Sequence, residues 1–418
     1  METTQTSIFR SARSLRIMTV LAVAAFAAAW NFTFLSPVLK EVAADAGVSK
    51  AAAGQLVLVS AVVAVVFLVI LGPLSDRYGR RPSLMLGLGA MAAAAFGSAA
   101  TSSFPVLLGL RAISGVGDAL VLPSAYAAVS DYFEGKDREV ALNVLLVPLG
   151  AAVVAGLPVV VLVSEVTNWH VAFLVFGLFN AGAMAAVPAA LPGVTLKRVA
   201  HPHLLAHYRE SYGEVLGKPA VIPILVAAIL GAATWNGMVV YAGSFFEDEL
   251  GAEGTAKALL FAALGASYVS GGGIGVVLAR RLPPWPIAVP SGIAAMALPV
   301  LVVSTTAVVP IAVLLALIFA ASRAPGVGAL NNMILDLAPH SQATAISVHG
   351  VVFMTGAAVG AGAGGAAIAI QGYVAMGAVF SLLAAGALFA LLAPASMRAR
   401  SGAMSEAPVE GARLGPSG

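Results

Sequence analysis

The stretch Gly72-Pro-Leu-Ser-Asp-Arg-Tyr-Gly-Arg-Arg-Pro82 interrupts a long uncharged region with four charges, two prolines and two glycines. Apolar runs of about twenty residues flank it on both sides, which is the length that crosses the hydrocarbon core of a bilayer. The stretch therefore predicts a short hairpin between two membrane helices. Its arginines are expected in the cytoplasm, and Asp76 is expected to pair with Arg80 or Arg81 or to cap a neighbouring helix.

The composition of the whole chain supports a bilayer location. Hydrophobic residues make up 60% of the 418 residues and charged residues 10%, with a mean hydropathy of +0.97, whereas soluble proteins carry about 25% charged residues. Apolar runs long enough to cross a membrane predict twelve spans and an all-α integral membrane fold. The predicted spans cover residues 15–39, 51–74, 82–100, 104–130, 140–163, 170–191, 219–245, 255–279, 285–304, 308–331, 343–370 and 374–392.

The lysines and arginines predict the orientation. Of the 22 basic residues, 17 fall in one set of loops, and Lys40, Lys50 and Lys257 fall in the other. The remaining two, Arg111 and Arg323, lie inside predicted spans. Since basic residues accumulate on the cytoplasmic side, both termini are predicted to be cytoplasmic.

The absence of cysteine limits the possible chemistry. With no cysteine in the chain, disulfides, thiolate metal sites and cysteine nucleophiles are excluded. The sequence shows no other metal-ligand constellation, nucleophile and base pairing, or phosphate-binding loop. The net charge of +3 follows from the basic loops and indicates no nucleic-acid partner. We therefore expect no cofactor, and an ion gradient, of protons, as the energy source.

An internal repeat relates the two halves of the chain. Trp30 and Trp235 are each followed by asparagine at a separation of 205 residues, and the same offset relates Asp131 to Asp336. Two six-helix halves in the same orientation are the simplest explanation. The predicted organisation is an N-terminal half at 1–192, a cytoplasmic linker at 193–218, a C-terminal half at 219–394 and a disordered cytoplasmic tail at 395–418.

The loop at 72–82 resembles the signature loop between helices 2 and 3 of the major facilitator superfamily, whose pattern is roughly G-x-x-x-D-R-x-G-R-R/K. The matching positions are Gly72, Asp76, Arg77, Gly79, Arg80 and Arg81. The resemblance implies twelve helices in two pseudo-symmetric halves, alternating access to a small-molecule substrate, and a role for these six residues in conformational gating. It also implies a monomer in the bacterial inner membrane.

The predicted fourth span carries two charges. Arg111 begins a stretch that resembles the R-x-x-x-G-x-G motif of proton-coupled members, in which the arginine is linked to proton coupling. Asp118 departs from that motif, so its role does not follow from the resemblance. The repeat relates Asp118 to Arg323 of the tenth span, and we expect the two to face each other across the central axis. Such a pair would serve either substrate binding and proton coupling or a static ion pair.

Two aromatic and amide pairs are candidates for the wall of a substrate cavity. Trp30 and Asn31 lie on the first span, and Trp235 and Asn236 on the seventh; the resemblance places both helices around the central cavity. Rings and amides together suit an apolar ligand with one polar group. Tyr241 is a weaker candidate. The alternative for the pairs is packing between helices.

Two further features bear on coupling. His349 on the eleventh span is a candidate proton relay, with a packed, hydrogen-bonded role as the alternative. The fifth span contains Gly156-Leu157-Pro158, which only partly matches the motif of antiporters in this superfamily and weakens the case for antiport.

The leading functional hypothesis is proton-coupled efflux of a small, largely apolar organic compound, as in the drug:proton antiporter branch that the chain resembles. In this hypothesis Asp118 titrates, and Arg111 and Arg323 tune its pKa. The second hypothesis is uptake or exchange of an organic anion whose carboxylate binds Arg323. A membrane enzyme or a non-transporting sensor is the third, and no catalytic motif supports it.

Overall fold

The computed structural model describes the backbone of residues 11–191, 221–337 and 342–393. Side chains are described within these ranges except at 69–78, 136, 139, 143, 146, 335–337, 342–347 and 349. The predicted linker at 193–218 and tail at 395–418 lie outside the described residues.

In the described ranges the chain forms twelve long helices, numbered α1 to α12 in chain order, which confirms the predicted all-α membrane architecture. Non-helical backbone at Gln371 and Gly372 interrupts the long helix Gln342–Leu391. We number the part before this break α11 and the part after it α12. The fifth helix is assembled from shorter pieces around a π-helical turn. The helices are α1 Ala12–Thr33, α2 Gln55–Tyr78, α3 Arg80–Ala99, α4 Phe104–Tyr132, α5 Gly135–Val144, Leu146–Ala151, Ala152–Gly156 and Leu157–Val166, α6 Trp169–Ala190, α7 Val221–Leu250, α8 Gly254–Ala279, α9 Trp285–Ser304, α10 Val309–Leu337, α11 342–370 and α12 373–391.

The segment that predicted the fold is more helical than expected. Helix α2 continues to Tyr78 and α3 begins at Arg80, so only Gly79 separates them. The φ of Gly79 is +97°, a conformation that glycine adopts without the steric cost of a Cβ atom. Two membrane helices are joined within the predicted stretch, but the turn is shorter than the expected 72–82 because Gly79 alone makes it.

The end of the first span also differs from the prediction. Helix α1 stops at Thr33 rather than near Leu39, and a 3₁₀ turn over Ser36–Val38 follows. Pro37 lies inside this turn, where its fixed φ is tolerated. A separate helix over Leu39–Asp45 then runs before α2, and we call it the distal helix.

Equivalent helices pack in equivalent ways in the two halves. In the N-terminal half α3 packs on α4 and α6, and α2 packs on α4; in the C-terminal half α9 packs on α10 and α12, and α8 packs on α10. Between the halves, α2 packs on α11 and α5 on α8. The repeat relates α2 to α8 and α5 to α11, so the contact of α2 with α11 is equivalent to that of α8 with α5. This equivalence is expected for halves related by a pseudo-twofold axis along the membrane normal.

The hydrophobic core shows which side of the molecule is closed. We call distal the face that carries the α1–α2, α7–α8 and α11–α12 connections, opposite the face of Gly79. Near the distal face one buried cluster contains residues of both halves, including Trp30, Phe34, Phe246 and Phe261. Toward the opposite face, the described residues divide into one cluster within each half. The structure is therefore closed at the distal face.

Candidate functional site

A buried polar network joins α1, α2 and α4. The Nδ2 atom of Asn31 donates to both carboxylate oxygens of Asp118 at 3.0 Å, and the hydroxyl of Ser114 donates to Oδ1 of Asn31 at 2.9 Å. The hydroxyl of Ser60 lies 3.5 Å from Oδ2 of Asp118. Ser114 and Asp118 are four residues apart on α4, so both face α1.

Small residues on α4 bring this network together. A Cβ atom at Gly115 would lie 2.3 Å from the carbonyl oxygen of Ser60, and one at Gly117 would lie 2.8 Å from that of Gly87. Backbone atoms on α2 and α3 occupy the space where side chains would otherwise project. The two glycines therefore let α4 approach both helices, which brings Ser60 within reach of Asp118.

Arg111 lies three residues before Ser114 but does not form an ion pair with Asp118. Its side chain is buried, with the guanidinium carbon 5.2 Å from the centre of the Phe173 ring. This is cation–π distance. Its Nη2 atom has no hydrogen-bond partner among the described residues. The gap between Arg111, Asn31 and Ser98 has no room for a water molecule.

The expected meeting of Asp118 and Arg323 was wrong. Among the described residues, the polar partners of Asp118 belong to the N-terminal half, and no ion pair joins Asp118 to Arg323. Arg323 is 6% exposed, and in the described part of the chain its Nε atom has no partner and no carboxylate lies within ion-pair distance. Gly231 makes room for it, since a Cβ atom there would lie 3.0 Å from both terminal nitrogens.

The two tryptophans occupy different surroundings. Trp30 is buried in an aromatic cluster in which the rings of Phe26, Phe176 and Phe179 lie 5.2 to 5.5 Å from its own. Its indole nitrogen has no hydrogen-bond partner within the described ranges. This arrangement fits the packing alternative for Trp30.

Trp235 borders an apolar cavity instead. Its ring stacks on Tyr268 at 4.9 Å and contacts Phe319 at 5.7 Å. The free volume of the cavity is about 40 Å³, far below the volume of a site for a drug-sized ligand, so the cavity is contracted in this conformation. Helix α5 closes it from the N-terminal half. The lining residues are Val153, Leu157, Trp235, Met238, Val239, Ala242, Phe245, Phe246, Phe261, Leu264, Val302, Ala316, Phe319 and Met376.

The remaining predicted site residues lie elsewhere. Asn236 is buried, and its amide nitrogen has no partner in the described part of the chain. Tyr241 is fully buried away from the cavity and donates to the carbonyl oxygen of Ala361 at 2.8 Å. The side chain of His349 lies outside the described residues.

The signature loop is only partly described. Arg80 pairs with Asp131 at the end of α4, with Nε and Oδ2 2.9 Å apart. Arg81 is half-buried at the start of α3. The side chains of Asp76 and Arg77 lie outside the described residues. The predicted partners of Asp76 therefore stay a prediction.

Sequence reasoning missed Ser60, Tyr268 and Phe319. Ser60 is one hydroxyl in a long apolar run, and only the approach of Gly115 reveals its role. Tyr268 and Phe319 resemble other aromatic residues of membrane helices in sequence; in the structure Phe319 lines the cavity and Tyr268 stacks on Trp235. No group of three or more histidine, aspartate or glutamate side chains in the described ranges is arranged to hold a metal ion.

The described ranges contain eleven candidate membrane spans, and the break at Gln371 and Gly372 divides the longest of them, Gly350–Leu391, into two. These helices form two equivalent halves with a cavity between them, which defines the class of protein as a multi-pass membrane transporter. The profile of the Major Facilitator Superfamily matches residues 21–361. The chain belongs to this superfamily, whose members transport small molecules across a bilayer and are not enzymes.

Solved structures share the fold over nearly the whole chain. A D-xylose–proton symporter matches with a TM-score of 0.75 at 14% identity, over 90% of this chain and 96% of that one. A bacterial homologue of the human lysosomal transporter Spinster matches with a TM-score of 0.68 at 16% identity, over 94% and 96%. At these identities the likeness establishes the fold alone.

Curated relatives include drug-resistance proteins, which confirms the predicted resemblance to the efflux branch. A chloramphenicol resistance protein of Pseudomonas aeruginosa is 38% identical over 130 residues, 31% of each chain. Another from Streptomyces lividans is 28% identical over 218 residues, 52% of this chain and 55% of its own. Multidrug resistance protein D of Escherichia coli is 25% identical over 170 residues, 40% and 42%. The chain thus aligns with about a third to a half of the length of these relatives.

Proposed function

We propose that the protein is a proton-coupled exporter of small, largely apolar organic compounds. The observation that carries the proposal is the burial of Asp118 on neutral partners, close to helices that surround an apolar cavity. Proton entry would drive the exchange of inward and outward states, and the cavity would hold the compound during that exchange. The relatives named for drug resistance support the same direction of transport.

Asp118 is the only acidic side chain among the described residues that is buried. Its hydrogen-bond donors are an amide and a hydroxyl, and no described lysine or arginine forms an ion pair with it. Gain or loss of one proton changes the charge of a site from which water is excluded, where electrostatic energies are larger than at a surface. Protonation of Asp118 would therefore change the interactions that hold α1, α2 and α4 together.

The cavity supports an apolar substrate. Its lining is hydrophobic, with aromatic rings from α7, α8 and α10. Such walls bind ring-bearing compounds through buried area and favourable ring geometry. Since α5 of the other half completes the wall, movement between the halves would change the volume available to the compound.

Proteoliposomes with an acidic interior and a trapped pH dye test this function. We would add chloramphenicol first, because two relatives are named for resistance to it. Antiport predicts that the lumen becomes more alkaline as the compound enters and protons leave. Asp118→Asn should abolish that signal, while Glu134→Gln, at an exposed acid just beyond the same helix, should preserve it. Proton flux in Asp118→Asn equal to that of the wild type would contradict the assignment.

A second candidate function is uptake or exchange of an organic anion. It is favoured by Arg323, which is buried without a carboxylate partner among the described residues. A bound carboxylate would complete its charge-assisted hydrogen bonds. Benzoate and benzyl alcohol separate the candidates, because only benzoate offers a carboxylate on the same ring. Preferential transport of benzoate that is lost in Arg323→Ala would favour the anion function.

We further propose that the protein acts as a monomer in the bacterial inner membrane with both termini in the cytoplasm. The positive-inside rule supports this orientation. In that orientation the distal face is the extracytoplasmic one.

A further inference from the structure

Charged side chains connect the two halves at the distal face. Lys40, Glu41 and Lys50 come from the N-terminal half, and Glu247, Asp248 and Lys257 from the C-terminal half. We call these six residues the distal cluster. Its three lysines are the ones that sequence analysis placed in extracytoplasmic loops.

Lys257 is the most buried member of the distal cluster. It is 3% exposed and donates to the carbonyl oxygen of Pro37 at 2.9 Å. It also lies 3.4 Å from Oε1 of Glu41 and pairs with Glu247. Two of these three oxygens belong to the other half of the molecule. Because the ammonium group is buried, bulk salt screens these contacts only weakly.

The more exposed lysines of the distal cluster, Lys40 and Lys50, also join the N-terminal half to the C-terminal half. Lys40 lies 3.2 Å from Glu247 and 2.9 Å from Asp248, and Lys50 also pairs with Asp248. The hydroxyl of Tyr373 donates to Asp248 at 2.8 Å. Glu247 thus binds one lysine of the N-terminal half and Asp248 binds two, while Lys257 and Tyr373 hold these acids within the C-terminal half.

The distal helix Leu39–Asp45 makes this connection stiff. Lys40 and Glu41 lie in its first turn, and Asp45 ends it. Oδ2 of Asp45 accepts from Ser102 at 2.9 Å and from the indole of Trp169 at 3.2 Å, and lies 3.1 Å from Nε2 of His170. One end of the helix is therefore anchored to the N-terminal half, while the other end holds the C-terminal half.

The cluster lies directly over the apolar cavity. Phe246 precedes Glu247, and Phe261 follows Lys257 by one helical turn. The two rings are 5.3 Å apart, and both line the cavity. To open the cavity at this face, the halves must separate between these rings and the charges next to them.

We propose that the distal cluster is the extracytoplasmic gate of the transporter and that Lys257 is its central residue. In this structure the gate is closed. It opens when the ammonium group leaves Pro37 and Glu41, and the distal helix then moves away with the N-terminal half. The proposal rests on transport by alternating access, but not on the identity of the substrate or on Asp118.

Cysteine accessibility tests the gate directly, because the chain has no cysteine of its own. Ala242→Cys places a single thiol in the cavity wall beneath the gate. Labelling of intact cells with a membrane-impermeant maleimide then reports opening at this face, with no need for a substrate or a gradient. Adding Lys257→Gln leaves Glu41 and Glu247 without their buried cation, so we expect labelling at least about tenfold faster.

Two glutamates provide a matched pair of variants. Glu247→Gln removes one partner of Lys257 and should accelerate labelling, by less than Lys257→Gln does. Glu249, two residues further on, is exposed and forms no ion pair in the described part of the chain. Glu249→Gln should leave the rate unchanged.

Size-exclusion profiles and thermal melts identify variants that do not fold. If Lys257→Gln does not fold, the comparison of Glu247→Gln with Glu249→Gln decides the question. Equal labelling rates in those two variants, or an unchanged rate in a folded Lys257→Gln protein, would overturn the gate. Faster labelling together with absent proton flux would instead uphold the gate and contradict the proposed coupling.

Discussion

The amide nitrogen of Asn31 lies 3.0 Å from each carboxylate oxygen of Asp118, although 87 residues separate the two in the chain. This contact ties the end of α1 to the middle of α4. The repeat places Asn236 and Arg323 at the equivalent positions, where no hydrogen bond joins them and both carry nitrogen atoms without a partner among the described residues. The two halves share a backbone plan but differ in their buried polar chemistry.

Asn31→Ala should impair both stability and coupling. Without the amide, Asp118 keeps only the long contact to Ser60, and a buried acceptor left without its donor costs about 1–3 kcal/mol in the free energy of unfolding. Thermal unfolding in detergent measures the first effect and proton flux in liposomes the second. Asn236→Ala is the matched control, since its amide nitrogen has no described partner to lose. Similar losses of flux in both variants would indicate a packing defect rather than a role at Asp118.

Gly115→Ala should disrupt the packing of α4. The added Cβ atom would lie 2.3 Å from a backbone oxygen of α2, so the helices must separate, at a cost of about 1–3 kcal/mol. Gly109 lies on the same helix, and a Cβ atom added there would meet nothing within 4 Å. Gly109→Ala should therefore stabilise the helix by about 0.5–1 kcal/mol. Melting temperatures that move in opposite directions would bear out the close approach, and equal shifts would argue against it.

Sequence predicted the number of spans, because hydropathy over twenty residues is a local property that the bilayer enforces. It did not predict which side chains meet. The repeat correctly gave Asp118 and Arg323 corresponding positions along α4 and α10, but contact also depends on the rotation of each helix about its axis. That rotation is determined by packing, as at Gly115 and Gly231, where the absence of a Cβ atom lets a neighbour approach.

Lys257 illustrates the same limit. Its position after the seventh span correctly assigned it to the distal face, and a lysine in a loop is ordinarily exposed. Its partners Pro37 and Glu41 are 220 and 216 residues away in the chain. No local sequence pattern predicts that partners so distant in the chain bury the ammonium group of Lys257.

Tyr241→Phe should affect stability and not substrate affinity. The hydroxyl donates to the carbonyl oxygen of Ala361 inside the core and does not reach the cavity. Loss of one such hydrogen bond lowers the free energy of unfolding by about 0.5–1.5 kcal/mol. Thermal melts and equilibrium binding of chloramphenicol measure the two properties. A loss of affinity without a change in stability would place Tyr241 in the binding site after all.

Trp235→Ala and Trp30→Ala should separate binding from packing. Trp235 borders the cavity and stacks on Tyr268, so its removal should weaken binding of an aromatic substrate about tenfold, or about 1.4 kcal/mol. Trp30 is enclosed by phenylalanines of α1 and α6, and its truncation should lower the free energy of unfolding by about 3–5 kcal/mol. Binding is therefore measured at a temperature where both variants stay folded. If Trp30→Ala then weakens binding as much as Trp235→Ala does, the substrate also contacts the N-terminal half, and the cavity beside Trp235 is only part of its site.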